Sequence, residues 1–188
     1  MKNTNVEFKI GTIIELSFAT VIAGKEEQLF GEYFPKVTPI VGELGGQPLG
    51  SYVVTNSSSR LDDPKMGAIF QWASIDDFNK LHKEARFLEI KHIRDNALQS
   101  LSNGHFFTVD KDTVVTFDEG QSYALIAQME DDGCCVSSPL VKMMPAPGAD
   151  KKDYSPVKIV ITKWDECCDK ILQEGSSDIF KFILNMLK

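Results

Sequence analysis

The sequence predicts an α+β fold, with helices that cover one face of an antiparallel sheet. One observation behind this prediction is that runs rich in β-formers, such as MGAIFQWA, alternate with runs in which apolar residues recur every three or four positions. A second is the double glycine in ELGGQPLGSYVV, which separates a helical run from a strand-like one. With 43% hydrophobic side chains, the 188 residues are enough to bury a core. We therefore expect a globular chain of one domain or two small ones.

The N-terminal elements are predicted to be a strand and a bent helix. The strand is expected over residues 12–21. In the helix that follows, Pro35 and Pro39 each remove a backbone donor, so a bend or a break is expected there. Gly45 or Gly46 ends this helix, because glycine readily adopts the left-handed backbone conformation of a helix C-terminus.

A second helix has the clearest periodicity in the chain. Strands are expected at residues 50–56 and 66–73, and Ser74 then caps this helix. Its apolar positions repeat at helical intervals: Phe78, Leu81, Ala85, Leu88, Ile93 and Ala97. The pair Asn103–Gly104 is predicted to end the helix, and a final strand to follow up to residue 117. The order β-α-β-β-α-β over residues 1–117 is the split βαβ arrangement of a ferredoxin-like unit.

The remaining residues, 118–188, indicate a reduced second unit that packs on the first. Two strand-like runs, QSYALIAQM and PVKIVITKW, precede a run predicted to be helical from residue 165 to residue 188. The Pro- and Gly-rich segment between the strands cannot hold a long helix, so a duplicated unit would have lost its first helix. The alternative is that any strand followed by an amphipathic helix would align equally well. A duplication would bury the open sheet face in an intrachain pseudo-dimer, and otherwise a homodimer would bury it.

Charge and composition exclude several classes of partner. The net charge is −7 and the basic residues are scattered, which argues against nucleic acid. Apolar stretches of membrane-spanning length without charges do not occur, so no membrane is expected as a partner. The cysteines form two adjacent pairs, Cys134–Cys135 and Cys167–Cys168, in a sequence without an export signal. Reduced thiols and a cytoplasmic location are therefore expected.

No metal and no cofactor are expected from the sequence. His82, His92 and His105 lack the short spacing of a metal site. Adjacent cysteines in a helix point about 100° apart, which disfavours a site of four thiolates. Nucleophile elbows, phosphate loops and dinucleotide fingerprints do not occur, so hydrolase, kinase and nicotinamide functions have no support.

Aromatic and polar side chains of the first unit are candidates for a binding cavity. Aromatic residues most often fill a core, but a small apolar cavity between sheet and helices would use the same side chains. The candidate ligand-binding residues are Gln71, Phe78, Phe87 and Arg94, with Tyr33 and His82 as further polar groups. His82 lies at the margin of the apolar helix stripe, and the alternative for it is a surface histidine beside Lys83.

Two segments resemble a known family. YFPKVTPIVGELGGQPLG and FQWASIDDFNKLHKEARFLEIKHIRDNAL are similar to motifs of an uncharacterised bacterial family, a domain of unknown function in the dimeric α/β-barrel (ferredoxin-like) superfamily. The resemblance covers roughly residues 10–110 and implies the fold. In cofactor-free monooxygenases of that superfamily a helix histidine and a strand tryptophan border the substrate cavity, which implies catalytic roles for His82 and Trp72. Relatives carry a carboxylate before the aromatic residue at the strand end, whereas here Gln71 stands before Trp72.

Three functions are compatible with these observations. The first is a cytoplasmic protein that binds a small apolar or aromatic metabolite between sheet and helices. The second is a cofactor-free monooxygenase or isomerase-like enzyme that uses His82, Trp72 and Tyr33. The third is a structural or interaction protein that associates through its sheet face.

Overall fold

The fold is built around a closed barrel of eight antiparallel strands. A computed structural model describes residues 3–130, 136, 138–150 and 152–185. The barrel strands are β2 (Ile13–Val21), β3 (Gly46–Ser58), β4 (Met66–Trp72), β5 (Leu98–Thr108), β7 (Tyr123–Gln128), β8 (Val141–Pro145), β9 (Lys158–Lys163) and β10 (Asp178–Asn185). Strands β1 (Asn3–Phe8) and β6 (Thr113–Asp118) form a separate two-stranded sheet. The helices are α1 (Phe34–Glu43), α2 (Ile75–Leu81), α3 (Ala85–Asp95) and α4 (Glu166–Glu174), and a π-helical segment, Gln28–Tyr33, precedes α1. The predicted α+β class is confirmed.

The strand order divides the barrel into two blocks of four. Around the barrel the order is β10-β3-β4-β2-β5-β8-β9-β7, and β7 also pairs with β10. The N-terminal block is β5-β2-β4-β3, and the C-terminal block is β8-β9-β7-β10. In each block, the strand that comes first in the chain lies between the strands that come third and fourth. The blocks join where β3 pairs with β10 and where β5 pairs with β8. The C-terminal strands therefore cover the inner sheet face of the N-terminal block within one chain.

The barrel interior is an apolar core to which both blocks contribute. Leu16 and Phe18 of β2 point inward, and the Phe18 ring lies 4.8 Å from the ring of Phe180 on β10. The two-stranded sheet adds further apolar side chains, including Phe8 and Phe117, to the same cluster. Fully burying one such side chain is worth about 1.5–3 kcal/mol. Because β10 supplies interior residues, an association of other chains with this sheet face is not favoured.

The two blocks differ in the helices on their outer faces. The π-helical segment and α1, α2 and α3 pack on the outside of the N-terminal block, in a second apolar cluster that includes Trp72 and Phe87. The C-terminal block is covered by α4, whose Ile171 belongs to a third apolar cluster together with Val160 of β9. In the described part of the link between β7 and β8 no residue is helical.

Two predicted helices were wrong in extent. The helix expected from Ser74 to Gly104 is divided into α2 and α3 at Glu84, whose backbone is extended, and it ends at Asn96, so that β5 starts at Leu98. The C-terminal helix ends at Gly175, which takes the left-handed conformation with φ 63°. The following residues form β10, because β3 and β7 supply hydrogen-bonding partners on both sides.

The prediction of four reduced thiols was wrong at Cys167, which is disulfide-bonded. Cys168 is a buried residue of α4, and its thiol lies 4.0 Å from the carbonyl oxygen of Lys163. Cys134 and Cys135 lie outside the described residues. Spacing alone cannot predict a disulfide, because the bond depends on how close the fold brings two Cα atoms. The cytoplasmic location, inferred in part from reduced thiols, stays a prediction.

Over the described ranges, helices long and apolar enough to cross a membrane are absent.

The N-cap of α4 allows a prediction on stability. The Asp165 carboxylate accepts a hydrogen bond from the backbone N–H of Cys168 at 3.0 Å. Replacing Asp165 by Ala removes this acceptor and is expected to lower the free energy of unfolding by about 1 kcal/mol. Asp165→Asn keeps an acceptor oxygen and is the matched control. Urea denaturation of the three proteins measures the difference, and equal losses in both variants would contradict the cap.

Candidate functional site

A cavity lies between the outer sheet face of the N-terminal block and its helices. Its volume is about 90 Å³. Its apolar walls include the side chains of Trp72, Phe78 and Phe87. Polar groups that reach it come from the sheet below and from the helices above: Glu15, Tyr33, His82 and Arg94. The cavity therefore combines aromatic walls with titratable groups, as ligand sites do.

Glu15 lies on the sheet side of this cavity and is 4% exposed. Side chains alternate along a strand, so Glu15 points outward between the inward-pointing Ile14 and Leu16. One carboxylate oxygen accepts a hydrogen bond from Trp72 Nε1 at 3.0 Å, and the other from the backbone N–H of Gly104 at 3.2 Å. The carboxyl group is thus fixed by two donors from the strands on either side.

A β-bulge aims the Gly104 N–H at this carboxyl group. Leu16 pairs with His105 and Phe18 pairs with Ser102, so two residues of β5, 103 and 104, stand opposite Ser17 of β2. Gly104 has φ +67°, which side-chain-bearing residues rarely adopt. Such bulges re-aim groups next to functional sites. Here the bulge supplies a backbone donor in place of a side chain.

Burial raises the pKa of Glu15 to about 7. The hydrogen bonds from Trp72 and Gly104 oppose this shift, as do the positive charges of Lys152 and Arg94. An apolar environment disfavours the charged carboxylate, which is the dominant effect here. Near neutral pH the group can both accept and release a proton, and a pKa of this kind is typical of acid–base catalysts.

Arg94 and Tyr33 form the helix side of the cavity. The Arg94 guanidinium lies 5.9 Å from the centre of the Tyr33 ring and 5.8 Å from that of Phe87, and its side chain is 13% exposed. It pairs with the neighbouring Asp95 at 2.7 Å. Burial raises the pKa of Tyr33, and the positive charge of Arg94 opposes this rise. A positive charge is therefore held over aromatic rings next to the cavity.

His82 follows the end of α2 and is half-buried. Its ring packs 4.7 Å from the Phe78 ring and 5.3 Å from the Phe87 ring. Burial lowers its pKa, and the positive charges of Arg94, Lys91 and Lys152 lower it further. The neutral imidazole is therefore favoured at neutral pH.

The structure brings most of the predicted site residues together. The cavity is lined by His82, Trp72, Tyr33, Phe78, Phe87 and Arg94. Gln71 lies apart from them, because neighbouring residues of a strand point to opposite faces. Its amide oxygen accepts a hydrogen bond from the backbone N–H of Lys9 at 3.0 Å. The indole N–H of Trp72 binds Glu15, so this tryptophan positions the carboxyl group.

Glu15 is the residue that sequence reasoning missed. The run IIELSFATV alternates, and Glu15 occupies an outward position of a predicted strand, which was the available signal. Its proximity to Trp72 follows from the pairing of β2 with β4, in which Glu15 lies opposite Phe70. Clusters of three or more metal-ligating side chains are absent from the described part of the chain.

Comparisons with known proteins give no family for the chain. No family model and no curated protein match it. An anthrone oxidase-like protein of known structure is similar with a TM-score of 0.47 and 12% sequence identity over 94% of this chain and 93% of that chain. A mutant chlorite dismutase from Candidatus Nitrospira defluvii has a TM-score of 0.49 and 9% identity over 95% of this chain and 93% of its own. Both belong to the dimeric α/β-barrel superfamily. At these scores the likeness carries no conclusion about function.

Proposed function

We propose that the protein binds a small apolar or aromatic metabolite in this cavity and that Glu15 exchanges a proton with it. The observation that carries the proposal is the buried Glu15 carboxyl group, with a pKa of about 7, on the wall of an apolar cavity. Ionising a carboxyl group that is buried among apolar side chains costs stability. Such a cost is typical of a site that is kept for function.

The size of the cavity restricts the ligand. A cavity of about 150 Å³ lined by apolar side chains binds benzene in another protein. A cavity of about 90 Å³ fits at most one small ring, and the rest of a larger ligand would extend past Leu101, which lines the cavity and is exposed. A single-ring or similarly small compound is the ligand that fits.

The chemistry that fits this arrangement is an isomerase-like proton transfer. The Glu15 carboxylate removes a proton from a carbon next to a carbonyl group, and the electron pair of that C–H bond moves onto the carbonyl oxygen. Arg94 offsets the developing negative charge. In a substrate with a C=C bond next to that carbon, Glu15 returns the proton to the far carbon of the resulting dienolate as the carbonyl group re-forms, so the double bond shifts and no oxidant is consumed. The cofactor-free monooxygenase alternative shares the first step and consumes dioxygen as the oxidant.

For the architecture, we propose two ferredoxin-like units of the dimeric α/β-barrel type in one chain. Residues 1–117 form the complete unit, and residues 118–188 form the reduced one. The support is that both blocks have the same strand order. The intrachain pseudo-dimer is favoured over a homodimer because β7 to β10 close the barrel. The resemblance to the uncharacterised bacterial family over residues 10–110 is part of this proposal. The monomer mass in sedimentation would support it, and an obligate dimer would contradict it.

Two tryptophan signals provide a direct test of ligand binding. The chain has two tryptophans: Trp72 donates to Glu15, and the Trp164 indole N–H donates to Asp169 at 3.0 Å. In ¹⁵N-labelled protein, phenol is expected to shift the Trp72 indole signal with saturation and to leave that of Trp164 unchanged. Equal small shifts of both signals would contradict a cavity ligand.

Proton transfer is tested with a small enolisable ketone, cyclohexanone, in deuterated buffer. The protein is expected to accelerate the exchange of the α-protons of cyclohexanone for deuterium. The substitution Glu15→Gln is expected to reduce this acceleration by about 100-fold or more. Glu89→Gln, at an exposed position of α3, is the matched control. Equal rates for the wild-type protein and Glu15→Gln would overturn the role of Glu15. Dioxygen uptake in the same mixture would favour the monooxygenase reaction over the isomerase-like one.

A further inference from the structure

We infer that Lys152, from the link between β8 and β9, is a positioning residue for Glu15. This inference rests on the proposed function of Glu15. Lys152 Nζ donates a hydrogen bond to the backbone carbonyl oxygen of Asn103 at 2.6 Å. Asn103 is the first residue of the β5 bulge, and the next residue, Gly104, donates its N–H to Glu15. A residue of the C-terminal block is thus linked to a cavity that the N-terminal block forms.

One peptide group carries this link. The carbonyl of Asn103 and the N–H of Gly104 belong to the same planar amide, so their positions are fixed relative to each other. Lys152 binds the oxygen end of this amide and Glu15 binds the nitrogen end. A positively charged donor that binds the carbonyl oxygen polarises the amide, and this strengthens the hydrogen bond that the amide N–H donates. The ammonium group therefore favours the carboxylate form of Glu15, which is the form that accepts a proton.

The position of Lys152 depends on the absence of a side chain at Gly104. A Cβ atom at Gly104 would lie 2.7 Å from Lys152 Nζ. The backbone of Lys152 is held by Ser155, whose hydroxyl accepts from the Lys152 N–H at 2.9 Å and donates to the Lys152 carbonyl oxygen at 2.7 Å. The positive charge of Lys152 also opposes the rise in the pKa of Glu15. The hydrogen bond that Lys152 donates to the Asn103 carbonyl oxygen and the positive charge of Lys152 therefore both favour the carboxylate form of Glu15.

The test monitors the ionisation of Glu15 through the NMR signal of the Trp72 indole N–H, which donates a hydrogen bond to Glu15. Titrating ¹⁵N-labelled protein from about pH 5 to about pH 9 should move the Trp72 signal with a midpoint near the pKa of Glu15. In Lys152→Met we expect the midpoint to rise by about one pH unit. Lys152→Arg keeps a charged donor and should restore most of the original midpoint. Lys163→Met removes an exposed charge that pairs with Asp118 and should leave the midpoint unchanged.

The outcomes separate this inference from the proposed function. Glu15→Gln should abolish the titration of the Trp72 signal. If it does and Lys152→Met keeps the wild-type midpoint, the role of Lys152 is overturned and that of Glu15 stands. If the Trp72 signal of Glu15→Gln titrates as in the wild-type protein, Glu15 is not the titrating group and both proposals fail. Lys152 is exposed, so its variants should fold, which an unchanged Trp164 signal verifies.

Discussion

Replacing Glu15 by Gln is expected to make the protein more stable above about pH 7, by about 2 kcal/mol. In the folded protein the pKa of Glu15 is raised from 4.5 to about 7 by burial. Between these values the folded state keeps the proton and the unfolded state has lost it. The stability of the wild-type protein therefore falls as the pH rises through this window, and by about 3 kcal/mol once Glu15 is ionised in both states. The glutamine side chain cannot ionise and avoids this loss.

The loss of one hydrogen bond reduces the gain in stability expected from Glu15→Gln. The amide introduced by Glu15→Gln offers one acceptor oxygen, whereas the carboxylate accepts from both Trp72 and Gly104. One of these donors is left without its acceptor, at a cost of about 1 kcal/mol. We therefore expect the substitution to be slightly destabilising below about pH 4, where Glu15 is neutral in both states.

The measurement is urea denaturation of both proteins at about pH 4, 6 and 8. The difference in the free energy of unfolding between Glu15→Gln and the wild-type protein should change sign over this range. Glu89→Gln, on the exposed surface of α3, controls for the loss of a surface charge. A difference that is independent of pH would show that Glu15 is not ionising in the folded protein with a raised pKa.

A gain in stability with a loss of function is the expected behaviour of a functional carboxyl group. The apolar walls that raise the pKa of Glu15 would be more stable around an amide or an aliphatic side chain. Active sites commonly hold such destabilised groups, and substituting them stabilises the fold. If Glu15→Gln both gains stability and loses proton exchange, the two results together support a functional role.

Local patterns were sufficient to place part of the cavity wall. Helical spacing placed Phe78 and Phe87 on the face that packs on the sheet, and both line the cavity. The alternation of a strand also separates Gln71 from Trp72, and this was available from the sequence. The predicted strands over residues 12–21, 50–56 and 66–73 match β2, β3 and β4, because their patterns are set by residues close in sequence, whereas β1 was not predicted and the strand expected up to residue 117 is divided into β5 and β6.

Pairing between strands that are distant in sequence determines the features that local sequence patterns could not predict. Glu15 is buried because β2 lies between β4 and β5 and under the helices, which a strand pattern cannot reveal. The pair Asn103–Gly104 has the composition of a helix end as well as that of a bulge, and pairing with Ser17 selects the bulge. The run DIFKFILN becomes a strand because two barrel neighbours bind its backbone groups.

Gly67→Ala is expected to lower the free energy of unfolding by about 4 kcal/mol. Gly67 lies on β4 opposite Phe18 of β2 and Tyr52 of β3. The Tyr52 ring crosses over this glycine, and its hydroxyl donates to the carbonyl oxygen of Ser17 at 2.8 Å. A Cβ atom at Gly67 would lie 2.1 Å from that oxygen and 2.2 Å from the Tyr52 hydroxyl. The backbone oxygen cannot yield without breaking the pairing of β2 with β4.

The second part of the effect comes from Tyr52. This side chain is 1% exposed, and its hydroxyl would lose its acceptor if the ring were displaced. An unpaired buried hydroxyl adds about 1–3 kcal/mol to the cost of the clash. Tyr52→Leu in the Gly67→Ala background should recover part of the loss by removing the ring. The clash with Ser17 stays, so recovery should be incomplete.

Gly42→Ala is the matched control for this prediction. Gly42 lies in α1 on the exposed side, and a Cβ atom there would meet nothing within 4 Å. Alanine loses less conformational entropy on folding than glycine, so this variant should gain about 0.5–1 kcal/mol. Opposite signs in urea denaturation would therefore separate the close approach at Gly67 from a general effect of replacing glycine. A loss below about 1 kcal/mol in Gly67→Ala would mean that β4 can move away from β2. The cavity wall that Trp72 and Glu15 build across these two strands would then also be adjustable.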